Sequence, residues 1–149
     1  MKFRRIVLVA IAAAFAASAQ STGKSPFIGT WELDVAKSKV DPGPPMKSET
    51  VTIAEDGKVT VQSVDGKGKS ENWSYTYMED QEAPITGMQN SSVVEKRHGK
   101  TVEHAWKFDG GTFTGKGVIS KNGKVMTYTL DGTNSEGKHE HSVSVYEKQ

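Results

Sequence analysis

A row of turn dipeptides cuts this chain into pieces of the length that suits strands. Asp56-Gly57, Asp65-Gly66, His98-Gly99, Asp109-Gly110-Gly111, Asn122-Gly123 and the stretch from Asn134 to Gly137 recur along it. Asp-Gly and Asn-Gly supply the positive φ of tight hairpins at little steric cost. Between these turns apolar and polar residues alternate, the period of a sheet with one buried face. Strands are expected near 29–35, 48–54, 58–64, 70–78, 91–97, 100–108, 112–120, 124–131 and 139–147, with a short one around 84–87. Such a chain is all-β, a single antiparallel meander of nine or ten strands. A sheet that long curls and closes, which removes its exposed edges. The irregular connection from Ala36 to Lys47 contains Asp41-Pro42-Gly43-Pro44-Pro45, and prolines there forbid a helix through its centre.

The first nineteen residues read differently. Lys2, Arg4 and Arg5 precede an apolar run from Ile6 to Ala16, followed by Ala17-Ser18-Ala19. That is the layout of a secretory signal peptide cleaved before Gln20. The apolar run is shorter than the roughly 20 residues a membrane span needs. Residues 1–19 are therefore expected to be a leader and 20–149 a single exported domain, periplasmic or extracellular, with no membrane span of its own. The leader carries three of the 19 basic residues and none of the 18 acidic ones, so its removal turns a formal charge of +1 into −2. The remaining basic residues are scattered, and a nucleic-acid groove needs a dense cationic stripe; no nucleic-acid partner is expected. Cysteine is absent, and only two leucines, Leu33 and Leu130, follow the leader. Stability must then come from the strand ladder and from aromatic packing.

Strand phase assigns the aromatics to one wall. Trp31, Leu33 and Val35 share a side of the first strand, and Trp73, Tyr75 and Tyr77 are in phase in the fourth. Val102, His104, Trp106 and Phe108 are in phase after His98, as are Met126, Tyr128 and Leu130 later. Trp73, Tyr75, Tyr77, Trp106, Phe108 and Tyr128 are thus candidate contacts for a small ligand inside the barrel. The same rings would equally serve to fill it.

The two ends of this domain carry a resemblance. Gly29-Thr30-Trp31 opens the first strand and Tyr146-Glu147-Lys148 closes the last, which is similar to the calycin group of barrels, the lipocalins and fatty-acid-binding proteins. The resemblance implies that Trp31 plugs the closed end, that Gly29 lets the backbone bend across it, and that the barrel holds a small apolar molecule. Fatty-acid-binding proteins read Arg-x-Tyr-Glu-Lys at this end, the arginine and tyrosine gripping the ligand carboxylate. Here Tyr146 is kept as a candidate ligand contact, but Ser144 stands in the arginine's place. Serine cannot make the charge-assisted bidentate contact, which argues against carboxylate capture and leaves binding of a neutral ligand untouched. Val143 and Val145 moreover suggest by phase that Tyr146 faces outward, an assignment that a polar-lined cavity would reverse. Fatty-acid-binding proteins also place a helix–turn–helix lid where this chain has its short proline-rich connection, and lipocalins follow their barrel with a helix where this chain ends in a strand. Neither helix is expected. Gly29-Thr30-Trp31, Ala36-Lys37-Ser38-Lys39, Pro42-Gly43-Pro44 and Tyr146-Glu147-Lys148 together resemble a set of small exported bacterial proteins, implying an exported, bacterial setting.

Catalytic signatures are missing: no Gly-x-Ser-x-Gly elbow, cysteine nucleophile, phosphate-binding loop or dinucleotide fingerprint occurs. The chain reads as a binding protein, not an enzyme, with no cofactor called for. His139 and His141 flank Glu140 at strand spacing, and with His104 they are weak candidates for a three-nitrogen metal site. Two functions stay in competition. In one the barrel carries a small apolar or neutral ligand; in the other it is filled and acts as a protein-interaction or structural module of the cell envelope.

Overall fold

Three of the hairpins use one local device. In Ala54–Lys58, Asp65–Lys69 and Asn134–Lys138 the first residue donates its N–H to the last carbonyl (2.9 Å in each), and the residue before the last sits at positive φ. That residue is Gly57, Gly68 or Gly137, the left-handed position of a three-residue loop. Asp65 and Asn134 fasten the loop further, their Oδ1 atoms accepting two backbone N–H groups each. In the Asp65-Gly66 turn the positive φ therefore falls on Gly68, two residues later than the dipeptide predicts. Asp109-Gly110 does behave as predicted, with φ of 37° and 89°.

The computed structural model describes residues 23–149; the expected leader over 1–19 lies outside the described residues. Eleven strands follow: β1 Gly29–Leu33, β2 Lys39–Asp41, β3 Ser48–Ile53, β4 Lys58–Val64, β5 Ser70–Thr76, β6 Glu82–Pro84, β7 Ser92–His98, β8 Thr101–Phe108, β9 Gly111–Ile119, β10 Val125–Thr133 and β11 His139–Lys148. Ten of them run in the order β5-β4-β3-β1-β11-β10-β9-β8-β7-β6, every pair antiparallel. The ring is completed by a narrow seam, where Ser74 and Thr86 exchange both backbone hydrogen bonds at 2.9 and 2.8 Å. Gly87 permits this approach: at φ +94° its hydrogen faces the Asn72 carbonyl, and a Cβ there would lie 2.5 Å from that oxygen. Among the described residues this is an all-β, nearly closed calycin-like barrel without a helical lid.

The connection after β1 is less irregular than its prolines suggest. Val35–Lys37 forms one 3-10 turn capped by Asp34, the only helical piece among the described residues. β2 then pairs with β11 beside β1, opposite His141–Val143. No helix of the described residues is long and apolar enough to cross a membrane.

Trp31 is fully buried at one end of the barrel, donating Nε1–H to the Phe27 carbonyl at 2.8 Å. The Lys148 ammonium lies 5.1 Å from the Trp31 ring centre, against Gly29, where a Cβ would meet the lysine chain at 2.7 Å. Phe27, which the strand pattern does not include, is buried beside it, and with Ile53, Val59, Val102, Ile119 and Met126 belongs to the core.

Candidate functional site

Above that plug the interior is open. A cavity of about 360 Å³ occupies the barrel, with Val51, Val61, Trp73, Tyr75, Trp106, Phe108, Met126 and Tyr128 on its walls. Met46, Glu71, Met88, Phe108 and Leu130, all only half-buried, belong to the same lining and mark its more accessible part. The volume is near the lower end of small-molecule sites, which run to about 300–1,000 Å³. A larger shallow depression lies outside, over the outer faces of β7 to β10 and rimmed by Lys96, Glu103 and Lys116. Its charged residues Lys96, Glu103, Lys116 and Asp131 are all exposed to solvent.

The aromatic wall is a continuous cluster. Trp106 packs edge-on to Trp73 and Tyr75 (ring centres 5.8 and 5.7 Å apart) and stacks between His104 and Phe108 (4.7 and 5.2 Å). Room for it comes from β9, whose inward face reads Gly111, Phe113, Gly115, Gly117, Ile119. The Tyr128 ring fills the space that side chains at Gly115 and Gly117 would take; a Cβ on Gly115 would fall 1.7 Å from the Tyr128 hydroxyl.

Polar groups interrupt this wall in a belt across β7, β8, β10, β11, β3 and β5. Trp106 Nε1–H donates to the Tyr128 hydroxyl oxygen at 2.7 Å, and that hydroxyl lies 3.0 Å from His104 Nδ1. With its oxygen taken by Trp106, Tyr128 directs its own hydrogen to Nδ1. The His104 proton is then on Nε2, facing the Tyr75 oxygen at 3.3 Å and Glu95 Oε2 at 3.4 Å. Tyr75 donates its O–H to Glu95 Oε2 at 2.6 Å, and Arg97 Nε–H donates to Glu95 Oε1. On the far side Tyr146 donates its hydroxyl to Glu49 Oε1.

These environments set the acidities. Burial pushes Glu95 up, but the combined pull of His104, the Tyr75 hydroxyl and Arg97 outweighs it and holds the carboxyl below its usual value. Glu49 has only a neutral phenol to offset its desolvation, so its carboxyl is held above the usual value. It is enclosed by protein on most sides, its accessible part facing the cavity. Tyr75, Tyr128 and Tyr146 are raised by burial, with the nearby Glu95 or Glu49 charge adding to it.

Six of the seven aromatics singled out from the sequence line this cavity: Trp73, Tyr75, Trp106, Phe108, Tyr128 and Tyr146. Tyr77 does not. It follows the end of β5, where its ring lies 4.0 Å under the Arg97 guanidinium, which also sits 5.6 Å from the Phe27 ring. It covers a buried cation instead of meeting the cavity. Tyr146 points inward, against the phase of Val143 and Val145, because the inward face of β11 is polar: Ser142, Ser144 and Tyr146 line the cavity. The three histidines are not brought together. His104 is inside, whereas His139 and His141 lie outside, each against Asp131 at 3.2 and 3.1 Å. No group of three His, Cys, Asp or Glu side chains arranged for a metal occurs among the described residues.

Glu49 and Glu95 are the site residues missed by the aromatic pattern. A signal for both exists in strand phase, since Glu49 shares the side of Val51 and Ile53, and Glu95 that of Val93. A charge in phase with a core stripe is expected either to break the stripe or to serve it.

No family model matches the chain, and no curated protein matches it at a significant level. Among solved structures it is similar to the fluorescent protein UnaG. A point variant of UnaG aligns over 83% of this chain and 96% of its own, with 17% identity and a TM-score of 0.51. Wild-type UnaG aligns over 83% and 97%, with 18% identity and a TM-score of 0.49. The first of these likenesses bears out the barrel fold.

Proposed function

We propose that this chain is an exported barrel that binds a small, largely apolar molecule in its interior. The observation that carries the reading is the open cavity of about 360 Å³ between the Trp31 plug and the half-buried residues around Met46, Met88 and Phe108. A filled barrel would place side chains in this space, because an unfilled interior forfeits the dispersion contacts that packing supplies. The walls suit a planar ligand, since flat rings offset or meet edge-on at favourable separations. A fatty-acid-like carboxylate fits poorly: Ser144 lies in the wall, and no lysine or arginine lines the cavity among the described residues. Export belongs to the same proposal and rests on the leader-like pattern of residues 1–19; the intact mass of secreted or periplasmic protein starting at Gln20 tests it.

Trp106 is the natural reporter, being central in the cluster and only 7% exposed. Titration with a panel of hydrophobic ligands should quench tryptophan emission, and Trp106→Phe should remove most of that response. Native mass spectrometry after mild purification should find a retained small molecule. Absence of a response to every ligand class would leave the interaction-module reading in its place.

A further inference from the structure

Among the described residues three carboxylates line the cavity and no lysine or arginine does, so charge balance inside the barrel is the feature to follow. Glu95 is answered by Arg97 and by two further partners. Glu71 pairs with Lys69 at 2.7 Å, where solvent reaches both. Glu49 is different. Its Oε1 accepts the Tyr146 hydroxyl, its Oε2 has no hydrogen-bond partner among the described residues, and no basic side chain pairs with it. A carboxylate removed from bulk water without a counter-charge is costly to ionise, and its raised pKa expresses that cost. A cation entering the cavity would remove it.

The rest of the lining favours the same ligand. Ring faces attract ammonium groups, and Trp73 and Phe108, both only half-buried, belong to the same lining as Glu49. Ser142 and Ser144 share the wall and offer hydroxyl oxygens to the remaining N–H groups of an amine.

We propose that the cavity selects an apolar amine, an aromatic or aliphatic body carrying one ammonium group, and that Glu49 is its charge partner. This deepens the binding reading and rests on it. An acidic side chain in phase with the core of β3 is thereby explained as a specificity element, with Tyr146 holding one carboxylate oxygen so that the other is directed to the ligand.

The test uses three probes of one shape, 1-naphthylmethylamine, 1-naphthylmethanol and 1-naphthoate, titrated into the protein at pH 7 by calorimetry. The ammonium is expected to bind about tenfold tighter than the alcohol, the size of one charge-assisted contact, with the carboxylate weakest. Glu49→Gln keeps an oxygen to accept the Tyr146 hydroxyl and removes the charge. In that variant the amine should fall to the alcohol's affinity while the alcohol is unchanged, which also shows the cavity intact. Equal affinities for amine and alcohol in the unaltered protein overturn the inference and leave the cavity standing. So does a preference that survives Glu49→Gln. Failure of all three probes to bind also overturns the inference, while the wider ligand panel and native mass spectrometry decide the cavity reading separately.

Discussion

Arg97→Met tests whether the polar belt is an integrated charge network or a set of incidental contacts. Glu95 is 3% exposed and the Arg97 side chain 14%, so the pair is effectively interior. Removing one member of such a pair costs about 3–5 kcal/mol, because the remaining charge is left buried. Methionine retains the packing against Phe27 and Tyr77, and Glu95 keeps Tyr75 and His104, so the lower figure applies. The expected loss is about 3 kcal/mol at pH 7, or roughly 10 °C in melting temperature for a domain of this size. The sign of the pH dependence follows from Glu95. Its carboxyl is held below the ordinary 4.5 in the intact protein, so it contributes stability above that pH which is lost as pH falls through the depressed value. Without the Arg97 charge the Glu95 carboxyl moves upward. The deficit of Arg97→Met should therefore be full at pH 7 and shrink toward pH 4, as Glu95 becomes neutral in the variant first. Adding Glu95→Gln should restore stability to within about 1 kcal/mol of the original, since a neutral pair carries no stranded charge. Urea unfolding at both pH values measures all three proteins. A deficit equal at pH 7 and pH 4, or a double variant as unstable as the single one, would refute the reasoning.

Gly115→Ala should destabilise by about 2–4 kcal/mol, combining overpacking with the stranded Trp106 N–H. Its methyl would displace the Tyr128 hydroxyl from 1.7 Å; an unchanged urea midpoint would mean the barrel widens freely at β9. Gly87→Ala meets the Asn72 carbonyl and a left-handed φ together, so it should part the seam at a cost of about 1–3 kcal/mol. Amide exchange should then rise at Ser74 and Thr86 ahead of the other strands, and uniform exchange would count against a local seam.

The arrangement of strands was legible because hairpin turns and period-2 alternation are local properties of the backbone. Each turn must find its positive φ within a few residues, and each half-buried strand must keep its apolar side chains on one face. Alternation identifies the two faces but does not say what the enclosed one contains. In β11 the valines suggested the wrong inward face, because a strand lining a cavity can be polar inside and still bury Tyr146. Tyr77 kept the phase of Tyr75 yet left the cavity, since one residue past the end of a strand the partner is whatever closes the barrel, here Arg97. β2 was not legible at all, being three residues whose pairing with β11 depends on a neighbour about a hundred positions away.

By itself, then, the sequence determined a ring of antiparallel hairpins with Trp31 at its start and a band of aromatics on one face, since each of these depends on contacts within a strand or a turn. Tertiary structure alone decided that the interior stays open, that Glu95 meets a cation whereas Glu49 meets only a phenol, and that His104 joins tyrosines instead of other histidines. Those outcomes depend on which strands face each other across the barrel. That relation is set by closure of the whole sheet, and no local pattern encodes it.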